Sequence, residues 1–140
     1  MSLKLKTILL VMLALAFLPT GASANRQEPI YNIVNQPIPA ASQKLSRNDI
    51  AKAIIAGGAR TGWQIGPNDD GSLTGKIDVR GKHHATVTIT FSQTNYNLTL
   101  VSSTNLLQEG NLIHRNYNRW VRDLEKNIDN QLANTSTATQ

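Results

Sequence analysis

The chain has 140 residues, with 14 Lys and Arg against 9 Asp and Glu, and no cysteine. That length fits one domain, and the absence of cysteine excludes a disulfide scaffold, a thiolate metal centre and a cysteine nucleophile. The formal charge of +5 falls to +3 once Lys4 and Lys6 of the first segment are set aside, a balance that suits solubility and does not call for a nucleic-acid partner.

That first segment reads MSLKLKTILLVMLALAFLPTGASAN. Lys4 and Lys6 open it, an apolar run extends from Thr7 to Leu18, Pro19 and Gly21 break the run, and Ala22, Ser23 and Ala24 are the small residues a signal peptidase reads. This anatomy predicts a signal peptide over residues 1–24, cut after Ala24. The apolar run is shorter than the roughly 20 residues a membrane span requires, so no span is expected after cleavage. Of 140 residues, 116 then remain, enough to bury about two-thirds of the unfolded surface in one core. Export without cysteine points to a periplasmic or secreted bacterial protein. With no cysteine at the cut, no lipid anchor is expected.

Residues 25–45, NRQEPIYNIVNQPIPAASQKL, contain three prolines. Proline fixes φ and restricts its predecessor, so an extended leader is expected, with one short edge strand over residues 30–34. Ser46 then offers an N-cap, Asp49 a near capping box, and Leu45 with Ile50 a hydrophobic staple. Ile50, Ala53, Ile54 and Gly57 follow helical spacing, which predicts a helix over residues 46–60. Gly57 and Gly58 weaken it by roughly 1 kcal/mol each relative to alanine; such a pair ends a helix early or lets it sit close to a neighbouring sheet.

The period then changes to two. GWQIG, SLTGKIDVR, HATVTITFS and YNLTLVSS alternate apolar with polar residues and are joined by PNDDG, GKH and QTN. Short turns between alternating runs predict antiparallel hairpins with one apolar face and one threonine-rich face. In IHRNYNRWVRDLEKNI, Ile113, Tyr117, Trp120, Val121, Leu124 and Ile128 share one helical sector, while Arg115, Arg119, Arg122 and Lys126 share the opposite one. Asn111 is the expected cap. The last residues, 131–140, are small and polar and read as a disordered tail. The resulting expectation is an α+β domain over residues 46–130. It has two layers in the order α-β-β-β-β-α: a four-stranded antiparallel meander, with an N-terminal and a C-terminal helix covering one face.

Chemistry-bearing residues are few. His83 and His84 are neighbours on a strand and point to opposite faces, and no HExxH or acidic cluster supports them, so neither metal nor cofactor is expected. His114 is the one candidate general base; it needs a hydroxyl partner such as Ser102 or Ser103, yet no nucleophile motif surrounds either. Tyr117 and Trp120 lie on the apolar side and read as core anchors. The basic stripe Arg115, Arg119, Arg122 and Lys126 could take lipid, peptidoglycan or lipopolysaccharide anions or an acidic partner, although Asp123, Glu125 and Asp129 flank it and Arg119–Asp123 is an i,i+4 pair. The polar sheet face could receive a partner, and a sheet edge could accept an added strand.

Trp63, the histidine before Ala85-Thr86-Val87, Tyr96, Ser103, Asn105-Leu106, and Ile113-His114 followed by Tyr117-Asn118-Arg119-Trp120 form a pattern over most of residues 45–128. In this the chain resembles a group of small exported bacterial proteins, many of them lipoproteins, that have no assigned function. The resemblance implies a cell-envelope setting and carries no mechanism; the missing lipid-acceptor cysteine implies a soluble periplasmic or secreted form.

The reading that follows is a non-enzymatic accessory or binding module of the cell envelope, with an envelope component or protein as partner. Two other readings stay open at this point: a small hydrolase-like enzyme using His114 with a nearby serine, and a secreted effector or inhibitor that binds a foreign protein.

Overall fold

The structure, a computed structural model, describes residues 26–138. The expected signal segment and its cut lie outside the described residues. Within them the order is β1 (Gln27–Pro29), β2 (Ile33–Pro37), a 3-10 turn (Ala40–Ser42), α1 (Arg47–Arg60), β3 (Trp63–Pro67), β4 (Leu73–Val79), β5 (His83–Phe91), β6 (Asn95–Thr104), β7 (Leu112–His114) and α2 (Arg115–Ala138). An antiparallel sheet of five strands runs β2-β6-β5-β4-β3, and β1 pairs with β7 in a separate two-stranded sheet.

The α+β class and the two helices match the expectation; the four-stranded meander does not. Strands β3 to β6 do follow one another through hairpins, but the leader adds β2 outside β6, with Ile33 opposite Leu98 and Gln36 opposite Tyr96. The strand expected over residues 30–34 begins later because the earlier backbone is used elsewhere. Ile30 N donates to Asn111 O (2.8 Å) and Tyr31 N to Asn118 Oδ1 (2.9 Å). The leader is therefore part of the domain.

Helix α1 starts as its sequence dictates. Ser46 has extended backbone and its Oγ accepts from Asp49 N at 3.1 Å, an N-cap worth about 1 kcal/mol. Gly57 and Gly58 do not end it. A Cβ on Gly57 would stand 2.9 Å from Ile128 Cα, and one on Gly58 would overlap the side chain of Ile65. The pair thus lets α1 approach α2 on one side and β3 on the other, so Gly57 faces a helix where a sheet was expected.

Two corrections concern α2. Asn111 does not cap it: Leu112, Ile113 and His114 form β7 against β1, and the helix begins at Arg115. Ile113 is fully buried from a strand instead of a helical turn. At the other end, the expected tail is helical through Ala138. Leu132 continues the apolar row of Leu124 and Ile128 and has no exposed surface, and its carbonyl accepts from Ser42 Oγ at 3.1 Å. Ser136 Oγ and Thr137 Oγ1 donate to Ala133 O, so these hydroxyls bond back to the helix backbone.

The core lies between the helices and the inward residues of the strands. Trp63, Leu73, Ile77, Ala85, Val87, Ile89, Tyr96 and Leu98 are buried from the sheet, Ile50, Ala53 and Ile54 from α1, and Tyr117, Val121, Leu124 and Ile128 from α2. Thr86, Thr88 and Thr90 on the other face are not buried, as alternation requires.

Candidate functional site

The N-terminal turns of α2 carry three exposed arginines, Arg115, Arg119 and Arg122. The entry to the helix is fixed by backbone and by one histidine. Arg115 N donates to Arg26 O (2.7 Å), His114 N donates to Leu106 O (2.8 Å), and Asn116 N donates to His114 Nδ1 (3.0 Å). His114 is therefore the side-chain cap of α2. Accepting this bond requires the neutral ring with its proton on Nε2. Burial, followed by the charges of Arg115 and Arg26, lowers its pKa and favours that form.

From this anchored start Arg115, Arg119 and Arg122 project into one shallow recess of about 340 Å³, shared with Glu28 and Asn116. Arg119 Nη2 donates to Asn116 Oδ1 at 3.1 Å. The Arg122 guanidinium stacks over the Tyr31 ring, 4.5 Å from its centroid. Glu28 Oε2 accepts from Asn118 Nδ2 at 3.1 Å. Lys126, expected to extend the stripe, belongs to a different recess with Arg60, Thr61, Trp120, Asp123, Asn127 and Asn130.

Among the described residues no Lys or Arg nitrogen lies within 4 Å of a carboxylate oxygen; the one ion-pair contact is His84 Nδ1 to Asp78 Oδ2 at 3.6 Å. The expected Arg119–Asp123 pair is not formed. Three arginines thus line one recess with Glu28, whose carboxylate is more than 4 Å from their nitrogens and is engaged by Asn118; the surplus of positive charge suits phosphate or carboxylate oxygens, which arginine forks can grip with paired N–H groups.

His83 Nδ1 lies 2.7 Å from Asn105 O, and no group of three or more His, Asp or Glu that could hold a metal ion occurs among the described residues. His114 makes no hydrogen bond with Ser102, Ser103 or Thr104 among the described residues, and Ser103 Oγ donates instead to Gln108 Oε1. The pairing that a His114 hydrolase needs is not assembled there. Tyr117 is fully buried, and burial raises its pKa; its hydroxyl and Trp63 Nε1 have no hydrogen-bond partner among the described residues. Trp120 is only partly buried against the core and shows an edge to the Lys126 recess.

Asn118 is the residue whose role sequence alone did not reveal. It is 1% exposed. Its Oδ1 accepts from Tyr31 N (2.9 Å), and its Nδ2 donates to Pro29 O (2.9 Å) and Glu28 Oε2 (3.1 Å). It clamps the leader onto α2 and so carries Glu28 and Tyr31 to the arginines. The signal available beforehand was its place at the margin of the apolar sector, where an amide that is buried must find partners. Beyond Tyr31, Tyr31 Oη donates to Glu125 Oε2 (2.8 Å) and Tyr96 Oη to Asp129 Oδ1 (2.9 Å). Burial raises the pKa of Tyr31, Tyr96 and Asp129 alike.

No helix among the described residues is long and apolar enough to cross a membrane. No known protein family, curated protein or solved structure matches the chain.

Proposed function

We propose that this protein is a non-catalytic binding module of the bacterial cell envelope, exported to the periplasm or beyond, and that Arg115, Arg119 and Arg122 receive an anionic group of an envelope component. The observation that carries this reading is the recess that these three side chains line together with a single carboxylate, Glu28, and in which, among the described residues, no Asp or Glu oxygen lies within 4 Å of their nitrogens. Guanidiniums held this way keep most of their hydration and donor capacity for an external oxyanion. The rigid entry to α2, set by His114 and Asn118, presents them without a large ordering cost. The lipoprotein-like pattern and the amino-terminal signal anatomy supply the setting.

The test is charge reversal at all three positions, Arg115→Glu, Arg119→Glu and Arg122→Glu, in the full chain expressed in a bacterial host. Exposed substitutions typically shift stability by about 0.5 kcal/mol or less, and Arg122 adds about 1 kcal/mol for its lost stacking on Tyr31. Thermal unfolding is therefore expected to stay close to that of the parent while association with the envelope fraction is abolished. Unchanged association would refute the reading.

A further inference from the structure

The two edges of the main sheet are strands β2 and β3. Strand β2 is closed to further pairing by its own irregularity: its register shifts between Ile33 and Gln36, Asn35 has φ 51°, and Pro37 ends it. Bulges and prolines are the usual means of blunting a sheet edge. Strand β3 also ends in a proline, Pro67, but it has neither a register shift nor a residue of positive φ: Trp63 to Pro67 pair with Ile77 to Leu73 in continuous register.

The free side of β3 can be read from the adjoining turn. Asn68 N donates to Ser72 O at 2.8 Å, which makes 68↔72 a bonded pair. Antiparallel ladders alternate bonded and non-bonded pairs, so Gly66↔Thr74 and Gln64↔Lys76 are bonded to β4. Ile65 then directs its N–H and C=O outward, and so does the Pro67 carbonyl. No backbone bond outside the β4 ladder involves Ile65 among the described residues. Beside this edge lies a recess of about 880 Å³ that includes Ile55 and Ala59 of α1, Ile65 of β3, and Thr74 and Lys76 of β4. A Cβ on Gly66 would meet nothing within 4 Å.

We propose that β3 is a docking edge for an extended peptide segment of another protein, which adds to the sheet as a sixth strand. Side chains alternate along such a strand: those on one side fall on Ile55 and Ala59 and should be apolar, and those on the other side reach Thr74 and Lys76. The recess is lined by one cation, Lys76, and by no Asp or Glu, so the partner strand carries an acidic residue on its polar side. The same charge argues against a second copy as occupant, since β3 against β3 would bring two Lys76 side chains to one seam with no carboxylate between them.

The probe is a synthetic six-residue peptide, Thr-Val-Glu-Val-Thr-Val, acetylated and amidated, titrated into the 15N-labelled protein. Expected are amide shifts confined to β3 and the facing side of α1, and slowed amide exchange at Ile65. Methylating alternate backbone nitrogens of the peptide removes its donors without touching the protein, and should weaken binding by about tenfold. Lys76→Glu, on an exposed side chain, should weaken the Glu peptide by about fivefold and reverse the preference toward a Lys peptide. The proposal is overturned if no shifts appear at millimolar peptide, if they fall elsewhere, or if methylation leaves affinity unchanged. It is equally overturned if the free protein is already a dimer with the Ile65 amide protected.

Discussion

The two edges of the sheet are held by opposite means. At the β2 edge the attachments are polar and specific: Asn35 N donates to Asn97 Oδ1 (2.8 Å), Leu100 N to Asn32 Oδ1 (3.2 Å), Gln36 Nε2 to Asp129 Oδ2 (3.2 Å) and Tyr31 N to Asn118 Oδ1 (2.9 Å). At the β3 edge the attachment is close packing across Gly58, which lies against Ile65, while Gly57 lets the same helix meet Ile128 of α2. Side-chain amides tie down a leader that also buries Ile33 and Ile38 in the core. Glycines, in contrast, draw α1 close and leave the outer backbone of β3 untouched. The leader thus already acts as an added strand at one edge, while the other edge is left open.

The largest effect should come from breaking the polar edge at its clamp. Asn118→Ala removes the acceptor of Tyr31 N and the donor to Pro29 O inside a buried site; unsatisfied buried groups cost about 1–3 kcal/mol each, so a loss of about 3 kcal/mol is expected in urea unfolding. Amide exchange should accelerate at Tyr31 and along β2 and leave β4 unaffected. If β2 stays protected, the leader is held by something other than this amide.

At the packed edge, Gly57→Ala drives a methyl onto Ile128 backbone, which cannot rotate away. Overpacking of about 1–3 kcal/mol should outweigh the gain of about 1 kcal/mol in helix propensity, for a net loss of about 1 kcal/mol. Gly58→Ala meets the movable side chain of Ile65 and should remain closer to the parent. Thermal unfolding of the two variants side by side decides the matter; equal effects would mean that α1 and α2 can separate as freely as β3 can shift.

A comparable effect is expected where the β2 edge bends. Asn35 occupies the left-handed region at φ 51°, where a β-branched residue is strained, so Asn35→Val should cost about 1–2 kcal/mol. Straightening of the bulge without loss of stability would show the irregularity to be incidental and β2 to be as available as β3.

The smallest concerns pH and the entry to α2, which neither edge controls. The folded pKa of His114 lies below its ordinary value near 6.5, so the unfolded chain takes up the proton more readily. The contribution of His114 is fully present above about pH 6.5 and is lost as pH falls through the lowered folded value. His114→Asn keeps a capping side chain that does not titrate, and should flatten this part of the stability–pH curve. An unchanged curve would assign the dependence to other groups.

Much of the architecture was legible. Ser46 and Asp49 announce the start of α1, strict alternation marks β3 to β6, and the separation of Tyr117, Val121 and Leu124 from Arg115, Arg119 and Arg122 orients α2. These are local signals, written within a few residues of the structure they specify. Less legible were β1 and β7, three residues each, whose pairing joins Gln27 to His114 and so depends on contacts distant in sequence. The helical end was hidden because Ser and Thr resemble a disordered tail until Leu132 finds Ser42. For the candidate site, the stripe of arginines was visible, but its partition was not: Lys126 turns toward Trp120 and Asp123, and the anticipated Arg119–Asp123 pair is absent.

By itself the sequence determined the α+β class, the alternation that makes one sheet face apolar, the capped start of α1 and the sidedness of α2, because each is a periodicity or a cap set by neighbouring residues. Tertiary structure alone decided that the leader becomes a strand, that Asn118 joins the buried Ile33 and Ile38 in securing it, that His114 serves as a cap, and that β3 keeps a free edge. Those outcomes depend on which backbone donors and acceptors remain unpaired after the chain has closed on itself, and no stretch of sequence specifies its distant partner.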